Sequence, residues 1–326
     1  MTAGSASTAE ALVIGRIGVD LTAPEPRTSL ATADSFIRVV GGFAGNVGTG
    51  LARLGVATAV VSAVGDDGHG EYVRRALTDE GVDIESIATM AGSRTQVAFF
   101  ESWPPDHFPV TFYRPAPAPD TRLTEANLPL DRLDSTPLVI ISGALFAAEP
   151  ARSAALHAFE RRASSRDRRS RSTTVLDLDW RPTLWKDAAA YPTLMARAAD
   201  LADVIVGSDE EFAAARLRPD EVQRPGRLVV VKHGPDGVSW IADGGRGSLP
   251  GIHVEIVCGL GAGDALTAAF GAALVRGLEP AAAVERGNAA GAIVASRLTC
   301  SAAMPTSDEI DRLLARHGIG PQEVLP

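Results

Sequence analysis

The segment Val254–Arg276, VEIVCGLGAGDALTAAFGAALVR, sets a glycine-rich turn between a short apolar run and an alanine-rich helical stretch. Glycines let the backbone approach a ligand closely, and the free N–H groups at the start of a helix, with its dipole, make an anion site. Gly261, Ala262 and Gly263 would supply those amides, with Asp264 beside them. A carboxylate there would repel a phosphate that is merely bound. It suits a base that takes a proton from a hydroxyl attacking a phosphoryl group held by the amides. Capping the helix N-terminus is the plainer role for Asp264. The turn is not a P-loop, because no Gly-Lys-Ser/Thr follows and neither lysine of the chain, Lys186 or Lys232, lies near it.

A second motif precedes it. Residues Val39–Gly55 read VVGGFAGNVGTGLARLG, a glycine pair with an asparagine four residues on and then a small-residue helix ending in glycine. Taken with Gly-Ala-Gly-Asp at 261–264, this resembles the two signatures of the ribokinase-like (PfkB) family of carbohydrate kinases, in the same order. The resemblance covers essentially the whole chain. The segments GRIGVDL (15–21), ESWPPDHFPVTFYRPAPAPD (101–120), LDLDWRPTLW (176–185), VVKHGPDGV (230–238) and NAAGAIVASRLTCSAAMPT (288–306) narrow it to the bacterial branch that serves myo-inositol catabolism. It implies ATP-dependent phosphorylation of the C6 hydroxyl of 5-dehydro-2-deoxy-D-gluconate, with Mg²⁺. Fold membership alone does not choose a substrate. A kinase of the same fold for 2-keto-3-deoxygluconate, ribose or fructose stays open, as does a catalytically silent sugar-binding regulatory protein.

The resemblance also implies roles for single residues. Asp264 is the base, with Gly261, Ala262 and Gly263 holding the migrating phosphoryl group. Asp20, after the first strand, holds a sugar hydroxyl, although an aspartate capping its own turn would look the same. Gly41, Gly42 and Asn46 match the sugar-contacting loop, and Asn46 could instead only cap the helix after it. Arg114, in Phe-Tyr-Arg at 112–114, and Arg181, after the strand at 174–180, are expected to receive the substrate carboxylate, a task that suits the planar arginine fork. Lys232, Gly234 and Asn288 fall where the family places ATP. The family's Asn-x-x-Glu element falls on Ser208-Asp209-Glu210-Glu211, so Glu211 would reach Mg²⁺ through water while Ser208 departs from the pattern. Cys258-Gly259 is a second departure, where much of the family has Asp-Thr; Cys258 reads as a small packing residue. A monovalent cation near the carbonyls of 295–302 has no side-chain signature.

These residues need a scaffold, and the rest of the sequence describes one. Continuous apolar runs at 11–15, 58–65, 138–143, 174–180, 203–207 and 227–234 fit strands buried on both faces of a parallel sheet. Helical patterns at 44–55, 70–81, 151–162 and 189–201 separate them, which predicts a doubly wound α/β core. A strand at 254–257 would lead into helices at 262–276, 279–297 and 307–317, the last opened by a capping box at Thr306–Glu309. Period-two alternation in 94–113, with a Pro-rich loop, predicts a hairpin that joins residues 20–40 in a small sheet serving as a lid. The expected whole is a ribokinase-like three-layer αβα domain over 1–326, with a mostly parallel central sheet and lid strands within 20–40 and 94–118.

Composition bounds the partners. The net charge is −9 and the pI about 5.2, which argues against a general nucleic-acid binder. Two cysteines are too few for a disulfide scaffold or a cysteine-ligated zinc site. The N-terminus lacks the basic stretch of a secretory signal, and the longest apolar run, 265–275, is too short to span a bilayer. A reduced, cytoplasmic enzyme acting on a small sugar acid, without membrane partners, is expected, with lids of this family often pairing into homodimers. Residues 161–172, RRASSRDRRSRS, carry six arginines and read as a solvated helix end and loop rather than a polyanion patch.

Overall fold

The computed structural model describes residues 9–164 and 172–318, so most of the arginine-rich stretch lies outside the described residues. The short buried runs become parallel strands, because an all-apolar run can be covered on both faces only where helices flank a sheet. These are β1 (Ala11–Ile14), β4 (Thr58–Gly65), β5 (Ile87–Met90), β8 (Leu138–Ser142), β9 (Thr173–Asp177), β10 (Val204–Ser208) and β11 (Leu228–Lys232). An antiparallel hairpin, β12 (Gly237–Ala242) and β13 (Gly245–Pro250), completes a nine-stranded sheet in the order β13-β12-β11-β10-β9-β8-β1-β4-β5.

Helices cover both faces. On one side α1 (Phe43–Arg53), α2 (Gly68–Asp79), α8 (Ala262–Val275) and α9 (Pro280–Ala295) bury Val47, Leu51, Val73, Phe270 and Val284 against Val13, Val60 and Ile140. On the other, α4 (Ala151–Ser164), α5 (Tyr191–Leu201) and α6 (Asp209–Ala215) pack Phe159, Met195 and Phe212 on Leu12, Ile141 and Ile205. Short helices α3 (Leu130–Ser135) and α7 (Pro219–Val222) lie in the connections, and α10 (Ser307–His317) packs Ile310 against the α8–α9 pair. Its capping box forms as expected, with Thr306 and Glu309 each accepting from the other's backbone. The three-layer core is thus the one the sequence implied.

The segments expected to form a lid make a separate four-stranded sheet, β3-β2-β6-β7, from β2 (Gly18–Thr22), β3 (Ile37–Gly41), β6 (Val97–Phe100) and β7 (Val110–Tyr113). Its alternation puts Ala98, Phe100, Val110 and Phe112 on one face, where they line a cavity, and Phe99 and Tyr113 on the other. On the outer side Phe36 and Tyr113 both meet the Phe99 ring edge-on, with centroids 5.2 and 5.4 Å away.

One expectation fails here and one element goes unpredicted. Residues 254–257 are not a strand: Val257 and Cys258 both donate to the Ala295 carbonyl of α9, so this extended stretch is held by a helix end and not by a sheet edge. The β12–β13 hairpin was missed, although Asp243-Gly244 at its tip is a two-residue turn signature.

Candidate active site

The glycine turn and the helix after it form one wall. Gly261 caps α8 with φ of 83°, a left-handed conformation that favours glycine, and a Cβ there would stand 3.0 Å from Cys300 Cβ. Asp264 lies in the first turn of α8. Its position is fixed from α1, where Asn46 Nδ2 donates to Asp264 Oδ2 at 2.7 Å. The two helices can approach because Gly50 of α1 faces Ala268 of α8; a Cβ on Gly50 would come within 2.7 Å of Ala268 Cβ. Burial raises the proton affinity of Asp264 and neighbouring Asp179 adds to it, while Arg181, the Asn46 hydrogen bond and Lys232 oppose it. A carboxylate shifted this way is a stronger base at neutral pH than a free one.

Facing it, the lid and the start of α1 present Asp20, Gly41, Gly42 and Asn46. Asp20 projects from β2 across β3, and the space a Cβ on Gly41 would take is filled by its carboxyl group. Burial pushes Asp20 up to about 7; the Arg16 charge opposes this, Asp264 adds to it, and a hydrogen bond from Cys300 opposes it. Gly42 adopts φ of 80° at the N-cap of α1, where a Cβ would strike the Arg16 carbonyl that accepts from Ala44 N.

Beyond β9, Asp179 carries two arginines. Arg181 Nη2 lies 3.0 Å from Oδ1, and Arg16 Nη2 lies 3.4 Å from Oδ2. Ser142 Oγ also donates to Oδ2, at 2.6 Å. Although burial works against it, the two guanidinium groups hold the Asp179 carboxyl below the usual carboxylate range. Asp177, at the end of β9, goes the other way: burial dominates and raises it, and Lys232 at 3.5 Å only partly compensates.

These groups surround a cavity of about 580 Å³ lined by Arg16, Asp20, Asn46, Arg181, Gly261 and Asp264. A second cavity of about 340 Å³ adjoins it, sharing Lys232, Gly234, Gly259, Ala262 and Gly263. This one is an apolar slot, walled by Ile252, Val254, Ile256, Leu266 and Ala292, with Phe108 of the β6–β7 loop also lining it. The glycine turn therefore sits where a charged chamber meets an apolar one.

Lys232, at the end of β11, lies 3.4 Å from Glu211 Oε2 as well as 3.5 Å from Asp177 Oδ2. Burial works against its charge, but Asp177, Glu211 and Asp264 outweigh that and hold the proton more firmly than usual. Glu211 is the N3 residue of α6, and its two oxygens accept from Ser208 N at 2.7 Å and Trp180 N at 3.2 Å. Ser208 completes the capping box, so the departure from the family's asparagine keeps Glu211 oriented. Asn288 lines the apolar slot and donates to the Pro250 carbonyl at 2.9 Å.

The structure brings Asp264, Gly261, Ala262, Gly263, Asp20, Gly42, Asn46, Arg181, Lys232, Gly234 and Glu211 to the charged chamber, with Gly41 behind Asp20. Arg114 is not there. It follows β7 and turns back onto Asp120, 2.7 Å away and buried, outside both cavities. Arg16, Asp177 and Asp179 line or support the chamber and were missed. An arginine interrupting the apolar run ALVIGRIGV, just ahead of Asp20, was the available signal. Cys258 is buried as expected, and burial pushes its thiol up to about 11.

Residues 8–307 match the pfkB family carbohydrate kinases. The chain is 34% identical over 316 residues to a 5-dehydro-2-deoxygluconokinase of Photobacterium profundum, covering 92% of each. It is 32% identical to a 5-dehydro-2-deoxygluconokinase of Geobacillus kaustophilus, over 95% of this chain and 94% of the other. Among solved structures, aminoimidazole riboside kinase from Salmonella enterica, complexed with aminoimidazole riboside and an ATP analog, superposes with a TM-score of 0.77 at 25% identity, covering 93% and 99% of the two chains. A two-chambered cleft with an aspartate at the helix start, and a family match across nearly the whole length, lead to one conclusion: this chain belongs to the pfkB family of carbohydrate kinases, phosphotransferases that act on an alcohol group of a sugar.

Proposed function

We propose that the enzyme transfers the γ-phosphoryl group of ATP to the C6 hydroxyl of 5-dehydro-2-deoxy-D-gluconate. The observation that carries this reading is the place of Asp264, at the start of α8, where the charged chamber opens into the apolar slot. The adenine of ATP lies in the slot and its phosphates run toward the glycine turn. The sugar acid fills the charged chamber with its primary hydroxyl at Asp264. Asp264 accepts that proton as the oxygen attacks phosphorus, and the bond from phosphorus to the leaving ADP oxygen breaks. Amides of the first turn of α8 hold the charge on the phosphoryl oxygens, a task a P-loop lysine performs elsewhere. Asp20 and Asn46 orient the sugar, and the lid excludes water that would otherwise compete for the phosphoryl group.

The donor set suits Mg²⁺, which takes hard oxygen ligands and keeps several waters. Both oxygens of Glu211 already accept a backbone N–H and face Lys232 or Arg181, so it would hold the ion through water. When bound, Mg²⁺ supplies neutralisation of phosphate charge. The acid substrate is supported by the names of the relatives and by two arginines facing the chamber.

The enzyme acts as a homodimer through the lid, whose outer side exposes Phe36, Ile37 and Tyr113; light scattering of wild type and Tyr113→Asp tests this, with a single mass for both contradicting it. The function itself is tested with an ADP-coupled assay across sugar acids and neutral sugars. The dehydro-deoxygluconate should give the highest kcat/KM, and preference for ribose or fructose, or turnover of none, would overturn the reading.

A further inference from the structure

Arg16 stands between β1 and β2, where the chain leaves the main sheet for the lid. It is 6% exposed and lines the charged chamber. Arginine carries five N–H donors in a rigid fork. Among the described residues only Nη2 of Arg16 reaches an acceptor, and that bond, to Asp179 Oδ2, is long at 3.4 Å. Its Nε is buried without any partner. Buried polar groups are normally satisfied, so a mostly unspent guanidinium in a cavity wall points to a ligand.

Asp179 does not depend on Arg16 for its position. Ser142 and Arg181 bind its carboxyl group, and its own N–H donates to Asp177 Oδ1 at 3.1 Å. Its φ of 36° is left-handed, a conformation aspartate tolerates and surrounding contacts must hold. Asp179 is thus a fixed post that aims an arginine from each oxygen into the chamber. Arg114, in contrast, has its charge engaged by Asp120 outside the chamber.

We propose that Arg16 is a specificity-determining residue that binds the substrate carboxylate, with Asp179 as its positioning residue. The proposal deepens the sugar-acid reading and rests on it. Charge-assisted bonds from a guanidinium to a carboxylate are stronger than neutral ones and fix its orientation. The carboxylate would take the unspent donors of Arg16 that the protein leaves open.

The test compares the sugar acid with its methyl ester, which keeps the skeleton and loses the charge. Wild type should favour the acid in kcat/KM by ~10–100-fold, the value of a hydrogen bond to a charged group. Arg16→Met should shrink that preference ~10-fold, raising KM for the acid by much more than KM for the ester. Melting temperature and binding of an ATP analogue report whether the variant is folded. Should it not fold, Arg16→Lys retains a charge beside Asp179 but loses the fork, and should cut the acid-to-ester ratio ~10-fold. An unchanged ratio in the folded variant, or equal losses on acid and ester, would overturn the proposal. Wild type that phosphorylates neither compound overturns the sugar-acid reading itself, which is a separate result.

Discussion

Replacing Gly41 by alanine should displace Asp20 without touching any group that binds nucleotide. Gly41 ends β3 opposite Gly18 of β2, and its φ is not among the positive values, so the backbone accepts alanine there. The added methyl would overlap all three atoms of the Asp20 carboxyl group, which must rotate out of the chamber. On the proposed reading, what is lost is a hydrogen bond from a sugar hydroxyl to Asp20, about 1.5–3 kcal/mol when the carboxylate is ionised, above about pH 7. That corresponds to a fall of ~10–150-fold in kcat/KM for the sugar acid. Lys232, Gly234 and Asn288 belong to other elements, so KM for ATP should stay within about twofold. A coupled kinase assay with each substrate varied in turn separates the two. If the effect passes through Asp20, Gly41→Ala should add little in an Asp20→Ala background, whereas independent effects would multiply. Full multiplication, or a sugar kcat/KM within threefold of wild type, would refute the reasoning.

Other consequences follow from the same geometry. Arg114→Met leaves Asp120 buried and unpaired, which costs about 3 kcal/mol; Tm should drop by ~4 °C while KM for the sugar acid changes less than twofold. A large rise in KM with unchanged Tm would return Arg114 to the substrate site. The raised proton affinity of Asp20 also has a sign. Between the ordinary carboxylate range and about 7, the folded protein keeps a proton that the unfolded chain has released. Stability of the ligand-free enzyme should therefore fall as pH rises through that window. Asp20→Asn removes this part, and the Tm difference between pH 5 and 8 should narrow by roughly 3–6 °C; an unaltered difference contradicts it.

Much of the core was legible because buried parallel strands carry an uninterrupted apolar run and amphipathic helices separate them, as at 58–65 and 70–81. The Asp264 turn was legible because glycine, aspartate and helix start fall together in sequence. The stretch 254–257 misled because its residues suit a strand, but no strand among the described residues pairs with it. Arg114 misled for a different reason. It emerges next to the lid hairpin, and only the fold shows that the chain doubles back to place Asp120 against it. Arg16 and Asp179 are distant by 163 positions, and nothing local marks them as partners. The arrangement of cation and anion in this chamber is a property of β1 and β9 ending at the same edge of the sheet.

The most direct measurement is single-turnover phosphoryl transfer by Asp264→Asn with ATP and the sugar acid. Asparagine keeps the shape and can still accept from Asn46, so the fold and the binding of both substrates should persist. It cannot take the proton. The rate should fall ~10²–10⁴-fold with KM values little changed. A rate within a few-fold of wild type would show that another group removes the proton and that the placement of Asp264 does not carry the chemistry.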